Sequence, residues 1–370
     1  MFGVFNKLFK IEDNWVVLFD LFSKNGNGDS IRPVAEELRR RRPDLKFFFC
    51  DKKKNRLKHI DMADEIITEK TLKFNYVCSK AKYIISPMGF PNKGKKRKGQ
   101  IFVQTWHGSP YKKIYLSRSK KSKKFNRYVK QFRGTDYFCV QCAKSIEYLK
   151  EGLSLNENVF VKAGIPRNDI LFSMTDEFRL NLKQKLGLPL DKKVILYCPT
   201  WRRYDYKAEL PFDLDKMKSE IGEEYILLLR SHAGKHTWVD KNNRPINVFD
   251  NIFSFNGGAY PEITHLYAIT DIMVSDYSSA IFDFAITQKP QLFYAYDLEE
   301  YEAKFGLYEK YDVFCPGPIS RTQEELVSDI KNIDLVSQKY AEKYKAFQQK
   351  YLEYEKGNAT KTLVDLFLGE

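Results

Sequence analysis

What most constrains the fold of this chain is an alternation. Short apolar runs, of a kind buried on both faces, recur between longer stretches with helical spacing. Trp15–Phe19, Leu45–Cys50, Tyr83–Ser86, Ile101–Gln104 and Tyr137–Val140 read as strands, and Ser30–Arg42 as one of the helices between them. After Gly164 the pattern restarts with Val194–Cys198, Tyr225–Leu229, Ile272–Ser275 and Gln291–Ala295. Near-continuous apolar strands at this spacing predict parallel sheets flanked by helices. Two such series in 370 residues predict an α/β protein of two Rossmann-like domains, over 1–165 and 166–370. The stretch from Glu324 to Leu368 has helical spacing, and Pro91–Gly99 and Leu116–Lys124 read as mobile loops.

Charge divides the chain as well. Residues 1–165 carry 36 basic against 16 acidic side chains, and residues 166–370 carry 26 against 32. Between Lys70 and Thr135 there are 19 basic residues and no acid. That asymmetry points to an anionic partner of the first half; nucleic acid, an acidic membrane surface and a phosphate-rich substrate all qualify. The six cysteines sit mostly in apolar runs, as reduced core cysteines do, and Cys139-Val-Gln-Cys142 lacks the further ligands zinc needs. No run of 18 apolar residues exists to span a bilayer. The first fifteen residues are too broken by charge for a secretory signal. Phe2, Phe5, Leu8 and Phe9 share one helical face, which fits a membrane-surface helix and a core-packing helix equally.

In open parallel sheets ligands bind beyond the carboxyl ends of strands. Four expected strands end in groups suited to an anion: Trp106-His107-Gly108, Pro199-Thr200-Trp201-Arg202, Arg230-Ser231-His232 and Asp276-Tyr277-Ser278-Ser279. Together they predict an interdomain cleft that binds an anion. Ser278 or Ser279 can cap the helix that follows, either as plain capping or as a phosphate seat made by free N–H groups and the helix dipole. Asp283, on the first turn or just past it, would repel a phosphate and suits a sugar hydroxyl or the holding of a neighbouring side chain. Arg230 and His232, two apart, point the same way on an extended chain; a guanidinium grips phosphate oxygens in pairs, and a histidine beside a diphosphate can donate a hydrogen bond and, when charged, offset leaving-group charge, which makes His232 a second catalytic candidate. His107 then has a task, because phosphoryl transfer to an alcohol needs the hydroxyl oriented and its proton accepted. The surrounding cations disfavour the imidazolium and keep the ring neutral as a base. Gly108 admits substrate to the backbone, and Lys112 and Lys113 attract phosphate. Asp213-Leu-Asp215 lies in a polar stretch away from any strand end, which discounts it as a metal motif.

QTWHGSPYKKI, GIPRNDILF, YCPTWR, RSH and SDYSSAIFDFAITQKPQLFYAYDLEEY, in this order over residues 80–310, resemble the CDP-glycerol glycerophosphotransferase family, which builds teichoic acids and related wall or capsule polymers. The resemblance implies a GT-B-like fold of two facing Rossmann-like domains, with the donor mainly in the C-terminal one and the acceptor entering from the N-terminal side. It implies His107 as base and Gly108, Ser109, Pro110 and Tyr111 beside the donor's glycerol phosphate. Arg167 falls on the diphosphate, with Pro199, Thr200, Arg230, Ser231, His232, Ser278, Ser279 and Asp283 completing the site. The implied reaction is attack of an acceptor hydroxyl on the β-phosphate of CDP-glycerol with loss of CMP, without metal or cofactor. The acceptor so implied is polyprenyl-diphosphate-linked, and the enzyme lies peripherally on the cytoplasmic face of the membrane. Ile114-Tyr-Leu-Ser-Arg118 departs from the family's habit of a glycine and an acid there, so the acceptor stays open, and so does the donor, with CDP-ribitol or a sugar nucleotide on the same fold as the alternative. The length fits a primase or short-chain transferase as well as a polymerase. A nucleic-acid-binding reading would leave the four strand endings unexplained.

Overall fold

The computed structural model describes residues 8–19, 29–51, 60–90, 96–200, 210–230, 248–249, 252–255, 260 and 262–369. The chain forms two compact units. The first runs to Ile170 and takes back the chain from Glu353 onward; the second spans Leu171–Leu352. The expected boundary after 165 therefore moves to Ile170, and the tail, expected in the second domain, belongs to the first.

The first unit is built on β1 (Glu12–Phe19), β2 (Lys46–Asp51), β3 (Glu65–Thr68), β4 (Ala81–Ser86), β5 (Ile101–Gln104), β6 (Tyr137–Cys139) and β7 (Phe160–Val161). They lie in the order β3-β2-β1-β4-β5-β6-β7, and every pair is parallel. Successive strand side chains take opposite faces, which sorts the core. Val16, Leu18, Phe47, Phe49, Tyr83 and Ile85 pack on one side with Ile31, Val34, Ala35 and Leu38 of the helix Ile31–Arg41. Val17, Phe19, Phe48, Cys50 and Ile84 pack on the other with Phe74, Val77 and Cys78 of the helix Leu72–Lys80. The tail helix Ala359–Leu368 adds Ala359, Leu363, Val364 and Phe367 to the first of these layers. Burial of each large side chain stabilises by about 1.5–3 kcal/mol, which explains why the tail docks here.

The second unit repeats the design. Its strands are β8 (Lys193–Tyr197), β9 (Tyr225–Leu229), β10 (Val248–Phe249), β11 (Ile252–Ser254), β12 (Ile272–Ser275), β13 (Gln291–Tyr294) and β14 (Ile319–Ser320). Their order is β10-β11-β9-β8-β12-β13-β14, parallel except for the β10–β11 pair at one edge. Ile195, Tyr197, Leu227, Leu229 and Val274 pack against Met217, Ile221, Leu326 and Ile330 of the helices Leu214–Ile221 and Gln323–Lys331. The Asp213 carboxylate accepts the Lys216 N–H at 3.1 Å and so caps the first of these helices. The Asp-Leu-Asp stretch is thus a capping device. Two Rossmann-like parallel sheets in series are what the GT-B-like expectation calls for.

One expected loop is ordered. Leu116–Lys124 enters two short helices, Tyr115–Arg118 and Lys123–Val129, with the Ser122 hydroxyl accepting from Phe125 N–H. Tyr115 stacks on Tyr128 with ring centroids 4.6 Å apart, and both rings pack against the core that holds Val129 and Phe132. Aromatic packing orders a segment whose lysines alone suggest a loop. In the other expected loop, 91–95 lie outside the described residues, while Lys96 pairs with Asp136 and Arg97 donates to the carbonyl of Phe9 at 2.8 Å.

Candidate functional site

The site residues form a group in each unit. In the first, β5 ends at Gln104 and the chain turns sharply. Trp106 has φ +53° and Gly108 φ +134°. Left-handed backbone costs a non-glycine residue about 1–2 kcal/mol, so the turn needs fastening. The Gln104 side chain provides it: its Oε1 accepts from Trp106 N–H at 3.1 Å and its Nε2 donates to the Met88 carbonyl at 2.7 Å. The buried indole of Trp106 packs against Phe132 and Phe138. The His107 ring lies on that indole, centroids 4.1 Å apart and planes 23° from parallel, and is half-exposed. The glycine after His107 is explained, because its φ is one that side chains resist.

Beyond Gly108 the chain turns inward. Ser109, Pro110 and Tyr111 are buried. Ser109 Oγ donates to Gln141 Oε1 and accepts from Ser145 Oγ at 2.9 Å. Ser145 stands in the first turn of the helix Ala143–Leu153, and its N–H donates to Cys142 Sγ at 3.4 Å. Burial raises the pKa of Cys142, so this thiol caps a helix and is no thiolate nucleophile. Arg167 is also in this unit. Its Nη1 donates to Asp29 Oδ1 at 2.5 Å, and both side chains are largely buried. The rest of the GIPRND stretch holds the tail. Asn168 Nδ2 donates to Glu355 Oε1 at 2.9 Å, and the Asp169 carboxylate accepts from Ala359 N–H at 2.9 Å and Thr360 N–H at 2.8 Å.

In the second unit, neighbouring strands β8 and β12 carry two of the expected endings. One carboxylate ties them together: Asp276, 1% exposed, accepts from Thr200 N–H at 2.7 Å and from Tyr277 N–H at 2.5 Å. Ser275 Oγ donates to the Cys198 carbonyl at 2.7 Å. Pro199 and Thr200 are thereby fixed beside Ser278 and Ser279, all four half-exposed. Ser278 Oγ accepts from Ala280 N–H at 3.2 Å at the start of the helix Ala280–Phe284. Ser279 makes no side-chain cap, and Asp283 is buried on that helix. Burial pushes the Cys198 thiol up to about 12, which rules it out as a nucleophile near neutral pH.

Arg230, at the end of β9, is buried. Its guanidinium donates to the carbonyls of Phe255, at 3.4 Å, and Tyr260, and desolvation lowers its pKa. The Tyr260 hydroxyl meets His265 Nδ1 at 2.8 Å. Trp201, Arg202, Ser231 and His232 lie outside the described residues.

Sequence reasoning named these loops and missed what fastens them: Gln141 and Ser145 behind His107, Asp29 opposite Arg167, Glu355 in the tail, and the tying role of Asp276. Only Asp276 left a signal, as an acid at a strand end between two assigned groups.

The pattern of the CDP-glycerol:poly(glycerophosphate) glycerophosphotransferases matches residues 3–369. The chain belongs to this family. A teichoic acid poly(glycerol phosphate) polymerase of Staphylococcus epidermidis is 29% identical over 95% of this chain and 50% of its own. The chain thus spans about half the length of that relative. A teichoic acid glycerol-phosphate transferase of Staphylococcus aureus is 29% identical over 98% of this chain and 95% of its own. Among solved structures, the wall teichoic acid polymerase TagF superposes with a TM-score of 0.84 at 27% identity, covering 100% of this chain and 92% of that one. In the glycerophosphotransferase family, then, His107 stands on a strand-end loop of the first Rossmann-like unit, while the Pro199-Thr200 turn, Arg230 and the serine pair stand on the second.

Proposed function

We propose that this chain transfers glycerol phosphate from CDP-glycerol to a hydroxyl of a membrane-linked acceptor in the synthesis of teichoic acid or a related polymer. The observation that carries the reading is His107, a half-exposed imidazole held on a fastened strand-end turn within a family defined by this chemistry. The acceptor hydroxyl attacks the β-phosphorus of the donor. A new O–P bond forms, the bond from that phosphorus to the bridging oxygen breaks, and CMP leaves with the bridging oxygen. The hydroxyl proton passes to His107, whose neutral ring accepts it as the nucleophile's charge develops. Thr200, Ser278 and Ser279 hold the donor's phosphates by hydrogen bonds, and Arg230 and a protonated His232 offset the charge on the departing CMP. The acceptor is polyprenyl-diphosphate-linked, and the enzyme works at the cytoplasmic membrane face.

The test is CMP release from CDP-glycerol by the purified chain over a panel of lipid-linked acceptors, with CDP-ribitol run beside it. CMP release with CDP-glycerol is the expected result. Release with CDP-ribitol alone reassigns the donor. Release with neither, from folded protein, overturns the reading.

A further inference from the structure

The turn that carries His107 has two fastenings, and only the one before it is local. Gln104, three residues ahead of the imidazole, bonds to Trp106 and to Met88. Behind the imidazole, the fastening comes from a different strand-to-helix junction. Gln141 follows β6, and Ser145 stands in the first turn of the helix Ala143–Leu153. These two side chains meet on one hydroxyl. Ser109 Oγ gives its proton to Gln141 Oε1 and takes one from Ser145 Oγ at 2.9 Å. All three residues are buried, with Gln141 fully so. The hydroxyl proton of Ser109 is therefore committed inward, and the residue is poorly suited to touch a phosphate.

We propose that Ser109, Gln141 and Ser145 form a latch of positioning residues that fixes the His107 ring for proton transfer, with Ser109 acting through the turn and not on the donor. The turn holds Trp106 in a disfavoured left-handed conformation next but one to a conformationally free glycine, so it needs holding on both sides, and a general base works only within a narrow range of placements. Gln104 and the stacked indole define the entry to His107. Ser109 is the next side chain after the glycine, so its two hydrogen bonds define the exit. β5 and β6 are neighbours in the sheet, and the latch joins their two endings through side chains as the ladder joins them through the backbone. Cys142, which accepts from Ser145 N–H at 3.4 Å, fixes the helix start from which Ser145 reaches across.

The inference rests on His107 being the base, so the test has one arm that needs no turnover. An imidazole stacked on an indole feels the indole's ring current, which moves its carbon-bound proton resonances upfield. In full-length protein with labelled histidine, the His107 resonance is assigned by its loss in His107→Ala. Ser109→Ala and Ser145→Ala are expected to weaken that upfield shift, and Ser145→Thr, which keeps a hydroxyl, to preserve it. In the kinetic arm, Ser109→Ala and Ser145→Ala are expected to lower kcat for CMP release on the order of 10- to 100-fold, as sub-ångström misplacement of a base does. KM for CDP-glycerol stays near the wild-type value, and Ser145→Thr recovers most of kcat. An unmoved His107 resonance in both alanine variants overturns the latch. So does a rise in KM for Ser109→Ala without a fall in kcat, which makes Ser109 a substrate ligand. If wild-type protein releases no CMP yet the resonance moves, the activity assignment fails and the latch stands.

Discussion

At the residue scale, the two groups differ in what they leave exposed. His107 presents a half-exposed ring, and Asp276 is a buried carboxylate whose Oδ1 accepts from two backbone N–H groups. His107→Ala is expected to lower transfer by about 10²–10⁴-fold, the usual loss when a general base is removed. CDP-glycerol affinity, measured by calorimetry, should stay close to wild type. Turnover above half that of wild type would remove His107 from the chemistry. Asp276→Ala removes the acceptor of the half-exposed Thr200 N–H and of the buried Tyr277 N–H, and a buried unsatisfied donor costs about 1–3 kcal/mol. The expected result is a lower melting temperature together with weaker nucleotide binding, read by thermal shift with and without CDP-glycerol. Unchanged affinity would confine Asp276 to stability. His107 was legible in the sequence because an imidazole, a glycine and a proline after an apolar strand are odd company. Gln141 was not, because its partner Ser109 lies 32 positions away and a buried glutamine has no sequence signature.

The strands and helices followed the hydrophobic pattern wherever a run was long enough to bury both faces. β5, β9 and β12 fall where the apolar runs place them. β3, β7, β10, β11 and β14 went unread. They are edge or next-to-edge strands of two to four residues, too short for a period to show. The tail helix was legible as a helix and misplaced by unit, because periodicity says that a face is buried and not against what. Gly164 decides that placement. Its φ is +90°, and a Cβ there would lie 2.5 Å from Glu355 Oε2 and 3.2 Å from the Tyr354 carbonyl. Gly164→Ala is therefore expected to push the Glu355 segment off the first unit, with backbone strain alone costing about 1–3 kcal/mol. Hydrogen exchange over Ala359–Leu368 should rise sharply, while β9 and β12 of the second unit keep their protection. Equal loss of protection in both units would mean global unfolding and not release of the tail.

For the whole molecule the governing fact is where the charge lies. Lys113, Arg118, Lys120, Lys121, Lys123, Lys124, Arg127, Lys130 and Arg133 are all exposed on the segment that follows the His107 turn. Among the described residues, none of the lysines from Lys120 to Lys130 forms an ion pair with an acid. Their aromatic neighbours Tyr115 and Tyr128 pack against the core and Phe125 lies edge-on to Tyr115, so the rings of this segment are engaged with one another and with the core. Such a cationic surface suits a field of lipid phosphates better than single-stranded nucleic acid. Among the described residues no helix is long and apolar enough to cross a membrane, and what this face offers an anionic leaflet is charge. Each Lys or Arg close to an anionic leaflet contributes about 1 kcal/mol, and a few engaged together suffice to hold the chain. Screening shortens the reach of that attraction to about 8 Å at physiological salt, so binding should be reversible and fall as salt rises. Flotation with vesicles of graded anionic content, at low and high salt, measures this directly. Co-flotation should grow with anionic lipid, vanish at high salt, and weaken when Lys120, Lys121, Lys123 and Lys124 are changed together to glutamine. Absence of binding to strongly anionic vesicles at low salt would refute the surface. Equal binding to neutral vesicles would move the attachment to apolar side chains instead.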